Sequence, residues 1–325
     1  MSATDRLKSS PGSPGEGDRP YRGWWRGLAS ALPLLLSACI APSQAETPTL
    51  HPGIVSLNPC ADAILAEVAD PAQVLAISHY SADPRSSSMP PRQARRYRTT
   101  RGTVEEVVAL HPDIVIDGTF IAPATADAYS RMGLRLETVG MANTVDDARA
   151  QVRQLAALAG HPERGERLIA RIDAALAAAA PPPGSAPIPA VMWEAGGMVP
   201  GDRTLIADLM RRTGFANFTA AQGYAQADLL PLERLLANPP RVIFTTTSVG
   251  DGAHADADRM LSHPALSALH GTTRAPFAPG LLYCAGPTVI RAAQRLAQVH
   301  RAIMPLPLAR GAGEGPVAQS RRPAR

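Results

Sequence analysis

A thirteen-residue pattern occurs twice in this chain without a gap, over residues 104–116 and again over residues 232–244. In each copy the apolar residues stand at the first, fourth, fifth and last positions, which is helical spacing for one or two turns. A proline then ends the helix before a short strand rich in β-branched residues. Periodicity alone is compatible with two unrelated α/β units. Because glutamate, alanine and proline also share their positions, we interpret the copies as equivalent parts of two similar lobes.

The second position of each copy holds an acid, Glu105 in the first and Glu233 in the second. This position lies beside the apolar stripe, so each carboxylate is predicted to project from the surface near the start of a helix. The plain alternative is a pair of solvated surface acids with no function.

Composition excludes several classes of function. A chain of 325 residues, 45% of them hydrophobic, can form two domains with real cores. The formal net charge is +4, the basic residues are almost all arginine, and much of the positive excess lies in the two ends, which argues against a nucleic-acid partner. Lysine occurs once, at Lys8, so the lysine of a P-loop, a Schiff base or a Ser-x-x-Lys site is missing from the rest of the chain.

Residues 1–45 are typical of an export signal followed by a short tether. An arginine-bearing stretch precedes an apolar run over residues 28–38 that is too short to be a comfortable membrane span. Residues 36–39 resemble a bacterial lipobox, which predicts lipidation of Cys39, while ordinary cleavage after Ala45 is the alternative. Both predict a protein that works outside the cytoplasm, in the periplasm or at a membrane through its lipid. Residues 305–325 lack an apolar period and are predicted to be a disordered tail.

Strand-like and helix-like segments alternate from residue 53 onwards, which indicates parallel α/β sheets flanked by helices. We predict an N-terminal α/β lobe over residues 53–160 and a C-terminal α/β lobe over residues 188–304. A helix over residues 163–180 should join them, and at ~1.5 Å per residue it would span about 27 Å. Such a helix is a stiff linker, which predicts small lobe motions rather than wide closure.

Four features carry a resemblance to a known family: the segment 54–59, the segment 77–84, the two repeat units, and the segment 283–287. Together they resemble the substrate-binding proteins of ABC importers for cobalamin, ferric siderophores and haem. The resemblance implies two α/β lobes joined by a long rigid helix, a small metal chelate bound between them, and no cofactor of the protein's own. It also implies a monomer whose partners are the permease and its ATPase subunits. In that family one surface glutamate on each lobe pairs with arginines of the permease, and Glu105 and Glu233 stand at those positions.

The ligand is expected between the lobes, among loops at the strand ends. By position after strands the candidate ligand residues are Asn58, Cys60, His79, Tyr80, Trp193, Glu194, Tyr283 and Cys284. Arg98 and Arg101 are added because arginine forks hold anions, and arginine abundance favours a ferric siderophore. The loop before Tyr283 also lacks the tryptophan that cobalamin binders tend to place there.

Some of these residues have alternatives. Trp193 either stacks on a flat ligand or belongs to the core. Cys60 and Cys284 could form a bridge, face the ligand, or be small buried residues, and we favour the last. His79 is interpreted as a polar contact or a haem ligand, because no metal-site spacing occurs in the chain.

Two other functions compete with transport. An exported α/β hydrolase would need a nucleophile elbow or a metal signature, and the sequence contains no Gly-x-Ser-x-Gly or Gly-x-Gly-x-x-Gly pattern. We therefore do not expect an enzyme. A ligand-sensing protein that signals to a partner is compatible with the same surface acids.

Overall fold

The computed structural model describes residues 51–246 and 263–304. The predicted export segment with Cys39 and the predicted tail over residues 305–325 lie outside the described residues. Among the helices that are described, none combines the length and the apolar character needed to cross a membrane.

The first sheet has five parallel strands in the order β3-β2-β1-β4-β5. Its strands are β1 (Ile54–Ser56), β2 (Val74–Ser78), β3 (Thr99–Thr100), β4 (Ile114–Gly118) and β5 (Arg135–Val139). β1 is buried throughout, as are the first three residues of β4. Continuous apolar strands of this kind are typical of a parallel sheet covered on both faces.

Helices of the first lobe cover this sheet. They are α1 (Pro59–Val68), α2 (Pro91–Ala94), α3 (Val104–Val108), α4 (Pro123–Arg131) and α5 (Val145–Leu158). α5 begins with a capping box, in which Thr144 accepts a hydrogen bond from the Asp147 amide and the Asp147 carboxylate accepts one from the Thr144 amide.

The second sheet has four parallel strands in the order β11-β10-β6-β8, and a separate antiparallel pair, β7-β9, lies in the same lobe. The described strands of this lobe are β6 (Ile188–Trp193), β7 (Met198–Val199), β8 (Phe215–Asn217), β9 (Asp228–Leu229), β10 (Val242–Thr245) and β11 (Thr273–Pro276). The described helices of this lobe are α7 (Leu205–Arg212), α8 (Leu232–Ala237), α9 (Pro264–Ser267) and α10 (Pro287–Ile303).

The two sequence repeats fold alike. In the first copy α3 leads into β4, and in the second α8 leads into β10. β4 lies next to β1, the first strand of its sheet, and β10 lies next to β6, the first strand of the other. The prediction of a helix followed by a strand is confirmed in both copies, and their places in the two sheets correspond.

The sheets are connected through α5 and α6 (Pro162–Ala179), so the predicted connecting helix is present within one residue at each end. α6 packs against α5, α1 and α10. Its buried stripe includes Leu168, Ile172 and Leu176. One hydrophobic cluster runs from the first sheet through these helices to Phe244 of the second sheet. The lobes therefore share a core, which supports the predicted small lobe motion.

A disulfide joins the two lobes. Cys60 in the first turn of α1 is bonded to Cys284, just before α10, with 5.0 Å between their Cα atoms. The interpretation of both cysteines as unpaired core residues is therefore wrong. The cause is the close approach of α10 to α1: Gly286 has a φ of 61°, and a Cβ at this position would collide with Ile64. This contact places Cys284 beside Cys60.

We predict that replacing both cysteines by serine lowers the free energy of unfolding by about 2–4 kcal/mol, because the bond closes a loop across a separation of 224 residues. Urea unfolding of the wild-type protein and of C60S/C284S measures the difference. A reductant should destabilise the wild type to the same extent and leave the double variant unchanged. Equal unfolding midpoints for both proteins, with and without reductant, would contradict the prediction.

Candidate functional site

A cleft of about 340 Å³ lies between the two lobes and receives residues from both. The first lobe contributes Asn58, Cys60, residues 118–120, residues 139–143 and Gln151, and the second contributes Glu194, Pro200, residues 204–206, residues 226–227 and residues 282–285. The first-lobe loops follow β1, β4 and β5, and Glu194 follows β6. All four strands are parallel members of their sheets, so the cleft lies at their carboxyl ends, where α/β proteins bind ligands.

Asn58 has two roles at the edge of the cleft. Its side-chain oxygen caps α1 by accepting hydrogen bonds from the amides of Cys60, at 2.8 Å, and Ala61, at 3.3 Å. The side-chain NH2 group forms no hydrogen bond within the described residues, and Asn58 also lines the cleft.

Apolar and amide groups dominate the lining. Phe120 and Met141 are 85% and 68% exposed, which is unusual for large apolar side chains. Both lie within three residues of a strand end, Phe120 after β4 and Met141 after β5. Neither residue is among the predicted ligand residues, although both share with Asn58 a position just after a strand.

The charge of the cleft is one-sided. Glu194 is the one carboxylic acid among the described lining residues, and these residues include no arginine, lysine or histidine. Burial raises the pKa of Glu194. Burial, followed by the nearby charges of Glu194 and Asp83, raises the pKa of Tyr283. An anionic ligand would thus meet a carboxylate with no cation beside it.

The structure brings five of the predicted ligand residues to the cleft: Asn58, Cys60, Glu194, Tyr283 and Cys284. Three others, His79, Arg98 and Arg101, line a separate polar pocket with Thr100 and Glu106. Tyr80 is 53% exposed and its ring lies against that of His79, with 4.0 Å between centroids.

Strand order explains this separation. β2 and β3 lie at one edge of the first sheet, so the loops that follow them open away from the cleft, which forms over β1, β4 and β5. Arg98, Arg101, His79 and Tyr80 therefore do not line the cleft in this structure, and their contact with a ligand stays a prediction.

Trp193 does not face the cleft. Its side chain has no exposed surface and packs in a cluster with Val191, Leu235, Ile243 and other apolar residues. β6 is an internal strand, so the side chain at its end is covered by the layer that includes α8. The prediction that Trp193 stacks on a ligand is wrong, and its core alternative holds.

Glu105 and Glu233 are both exposed, each at the second residue of its helix. A helix that leads into a parallel strand begins at the carboxyl edge of the sheet, so both acids lie at the cleft side of their lobes. Within the described residues neither carboxylate forms a hydrogen bond or ion pair. The neighbouring Glu106 differs, since it accepts hydrogen bonds from Thr100 Oγ1 and the Arg101 amide.

Asp62 in α1 is fully buried and was missed by the sequence analysis. Its Oδ2 accepts hydrogen bonds from the Ser78 amide at 2.9 Å and from Ser81 Oγ at 2.6 Å, while Oδ1 has no hydrogen-bond partner among the described residues. Burial raises its pKa to about 7, against the lowering effect of these hydrogen bonds. Asp62 thus fixes the loop after β2 that carries His79 and Tyr80.

Three potential metal ligands, His51, Asp70 and His161, lie close together in the described part of the chain. Their polar atoms already have partners. His161 Nε2 is 2.9 Å from the side-chain oxygen of Gln73, and Arg164 donates to Asp70 at 2.7 Å. A cation would have to displace a guanidinium, so we interpret the group as a structural network.

The sequence model described as "Periplasmic binding protein" matches residues 54–272, which is well over half of the chain. The chain belongs to this family. Its members are binding proteins for transport, in agreement with the family suggested by the sequence motifs. No protein of curated function is similar enough in sequence to count as a relative.

Solved structures of periplasmic binding proteins have the same fold. The periplasmic heme-binding protein RhuT of Roseiflexus sp. RS-1, in its apo form, has a TM-score of 0.59 and 21% identity, over 77% of this chain and 97% of its own. The periplasmic vitamin B12 binding protein BtuF of Vibrio cholerae has a TM-score of 0.58 and 19% identity, over 78% of this chain and 98% of its own. The periplasmic heme-binding protein HutB of the same organism has a TM-score of 0.61 and 16% identity, over 76% of this chain and 98% of its own. These structures confirm the predicted two-lobe α/β fold.

We predict that Asp62→Asn changes how stability depends on pH. The folded-state pKa of Asp62 is raised from 3.8 to about 7, so its contribution to stability is fully present below pH 3.8 and is lost as pH rises through about 7. The wild-type protein should lose up to about 1.4 kcal/mol per pH unit relative to the variant over this range.

Urea unfolding between pH 4 and pH 8 measures this difference. Asp127→Asn, at an exposed position of α4, is the control and should follow the wild type. If the free energies of unfolding of Asp62→Asn and of the wild type changed in parallel between pH 4 and pH 8, Asp62 would not titrate with a raised pKa.

Proposed function

We propose that this protein is the substrate-binding protein of an ABC importer, exported and held at the membrane through Cys39. It binds a metal chelate between its lobes and delivers it to a permease with its ATPase subunits. The observation that carries the proposal is the cleft at the carboxyl ends of both sheets, on a scaffold whose lobes share one core. Similar folds belong to proteins that bind heme and vitamin B12.

The lining of the cleft supports binding rather than hydrolysis. Hydrolysis by paired carboxylates needs a second acid near the first. Among the described lining residues Glu194 has no such partner. The remaining polar groups are amides and hydroxyls, which serve recognition by hydrogen bonding.

We propose a corrinoid as the ligand class. A corrin ring is flat and apolar on its faces, and its rim carries many uncharged amides. Phe120 and Met141 offer apolar contact, while Asn143, Gln151 and Gln226 offer matching amide partners. Haem and most ferric siderophores carry negative charge, which Glu194 disfavours where no described cation offsets it.

Delivery would use Glu105 and Glu233 as a two-point dock. Both are exposed and lie at the cleft side of their lobes. Two separated carboxylates would fix the orientation in which the protein meets the permease. Exposed ion pairs mainly determine how fast two proteins meet and how they align. The shared core and the Cys60–Cys284 bond would keep the distance between the two acids nearly constant.

The ligand class is tested by calorimetric titration of the purified protein with cyanocobalamin, dicyanocobinamide, haemin and ferric enterobactin. We expect the two corrinoids to bind at least tenfold more tightly than the two anionic chelates. Glu194→Gln should improve the binding of haemin and ferric enterobactin by about tenfold, which corresponds to ~1.4 kcal/mol, and change corrinoid binding little.

Glu137→Gln is the matched control, because Glu137 lies on β5 outside the cleft and pairs with Arg135. It should leave all four affinities unchanged. Tight binding of ferric enterobactin or haemin by the wild-type protein would reject the corrinoid proposal. Failure of all four compounds to bind would reject the transport proposal and favour sensing or catalysis.

Docking is tested by charge reversal of both acids, Glu105→Arg plus Glu233→Arg. We expect uptake of labelled cyanocobalamin to be abolished in cells that carry this variant in place of the wild type. Ligand affinity of the purified variant should be unchanged, because neither acid lines the cleft.

The control variant is Asp127→Arg plus Glu163→Arg. It changes the net charge by the same amount, at two exposed helical acids outside the repeats, and cells that carry it should take up cyanocobalamin normally. Loss of ligand affinity in the Glu105 and Glu233 variant would show instead that these acids face the ligand.

A further inference from the structure

A second cavity, of about 530 Å³, lies beside the cleft. Tyr283 lines both spaces and is the residue they share. The other walls of this side cavity come from the loop 83–91 of the first lobe, from residues 278–281 of the second lobe, and from Arg291 of α10.

Most of the wall is apolar. Met89 is buried, and Pro84, Pro90, Pro279 and Leu281 complete this surface. Such a wall fits the hydrocarbon part of a ligand.

Arg291 places a positive charge in this cavity. One of its terminal nitrogens donates a hydrogen bond to the Ser88 carbonyl, and burial lowers its pKa. Within the described residues Arg291 has no carboxylate partner. The one acid that lines the cavity, Asp83, is hydrogen-bonded to the guanidinium of Arg85 at 3.1 Å. The local charge is therefore positive, opposite to that of the cleft.

Ser88 provides a second, independent observation. It is 2% exposed and lines the cavity, and its hydroxyl has no hydrogen-bond partner in the part of the chain that the structure describes. A buried hydroxyl without a partner costs free energy, and an acceptor brought close to it by a ligand would remove that cost. Ser87, which also lines the cavity, differs because its hydroxyl accepts a hydrogen bond from the Met89 amide.

We propose that the side cavity binds a carboxylate or phosphate carried on an apolar body, with Arg291 and Ser88 as its donors. Arginine forms short, strong hydrogen bonds with such anions, and a hydroxyl adds a further donor. The anion can come from a free amphipathic molecule or from an anionic arm of the chelate in the cleft, which would pass Tyr283. The site goes beyond the proposed function, since it concerns a different cavity with the opposite charge.

The free-molecule arm of the test is calorimetric titration of the full chain with sodium octanoate. We expect saturable binding by the wild type and at least tenfold weaker binding by Arg291→Met, which keeps the apolar stem and removes the charge. Arg291→Lys should recover part of the loss. Arg295→Met is the matched control, because Arg295 lies one turn further along α10 and also donates to a backbone carbonyl, that of Pro276, but does not line the cavity.

The chelate arm of the test compares cyanocobalamin, which carries a phosphate, with dicyanocobinamide, which does not. If the anion is part of the chelate, the wild type should prefer cyanocobalamin by about tenfold, and Arg291→Met alone should lose this preference. Ser88→Ala removes a hydroxyl without a partner in the protein. This variant should weaken the binding of octanoate or of cyanocobalamin. If Arg291→Met does not fold, Ser88→Ala still tests the proposal.

Loss of octanoate binding in Arg291→Met supports a free anion, and loss of only the corrinoid preference supports an arm of the chelate. Unchanged binding of both probes in Arg291→Met and Ser88→Ala overturns the proposal, as does an equal loss in Arg295→Met. If no corrinoid binds at all, the proposed function fails while the octanoate result still decides the side cavity.

Discussion

The two sheets share one hydrophobic core, and the shape of the cleft depends on it. α6 and α10 pack against each other and against elements of both lobes, so the apolar cluster continues from one sheet to the other. Opening the cleft widely would expose part of this cluster to water, at roughly 25 cal/mol per Å² of apolar surface. The Cys60–Cys284 bond adds a covalent link at the floor of the same cleft. The protein is therefore built to present a cleft of nearly constant shape.

Charge is distributed unevenly around this fixed frame. The cleft contains one acid, Glu194, among its described lining residues, while the side cavity beyond Tyr283 contains Arg291 without an acidic partner. Arg98 and Arg101 lie in a third place, at the edge of the first sheet. Since desolvation strengthens electrostatic effects, we expect the half-buried Glu194 and Arg291 to influence ligand choice more than the larger number of exposed arginines. The net charge of the chain therefore does not describe the charge of the cleft lining.

Asp62 shows how one buried polar group organises a neighbouring loop. Its carboxylate holds the Ser78 amide and the Ser81 hydroxyl, so the loop after β2 depends on a residue in α1. The same helix is capped by Asn58 and carries Cys60, and both of these residues line the cleft. A single short helix thus ties the cleft, the interlobe bond and the edge loop together.

The sequence by itself determined the local elements of this protein. The repeat predicted α3 with β4 and α8 with β10, and the capping residues at Thr144 predicted the start of α5, because turn, cap and period are encoded within a few neighbouring residues. The exposure of Glu105 and Glu233 also followed from helical spacing. Only the tertiary structure decided the rest. Because of the strand order, His79 and Arg98 lie at the edge of the first sheet, and Trp193, at the end of an internal strand, is buried. The close approach of α10 to α1 allows a disulfide between cysteines that are 224 residues apart. These outcomes depend on packing between distant segments, which no local pattern encodes.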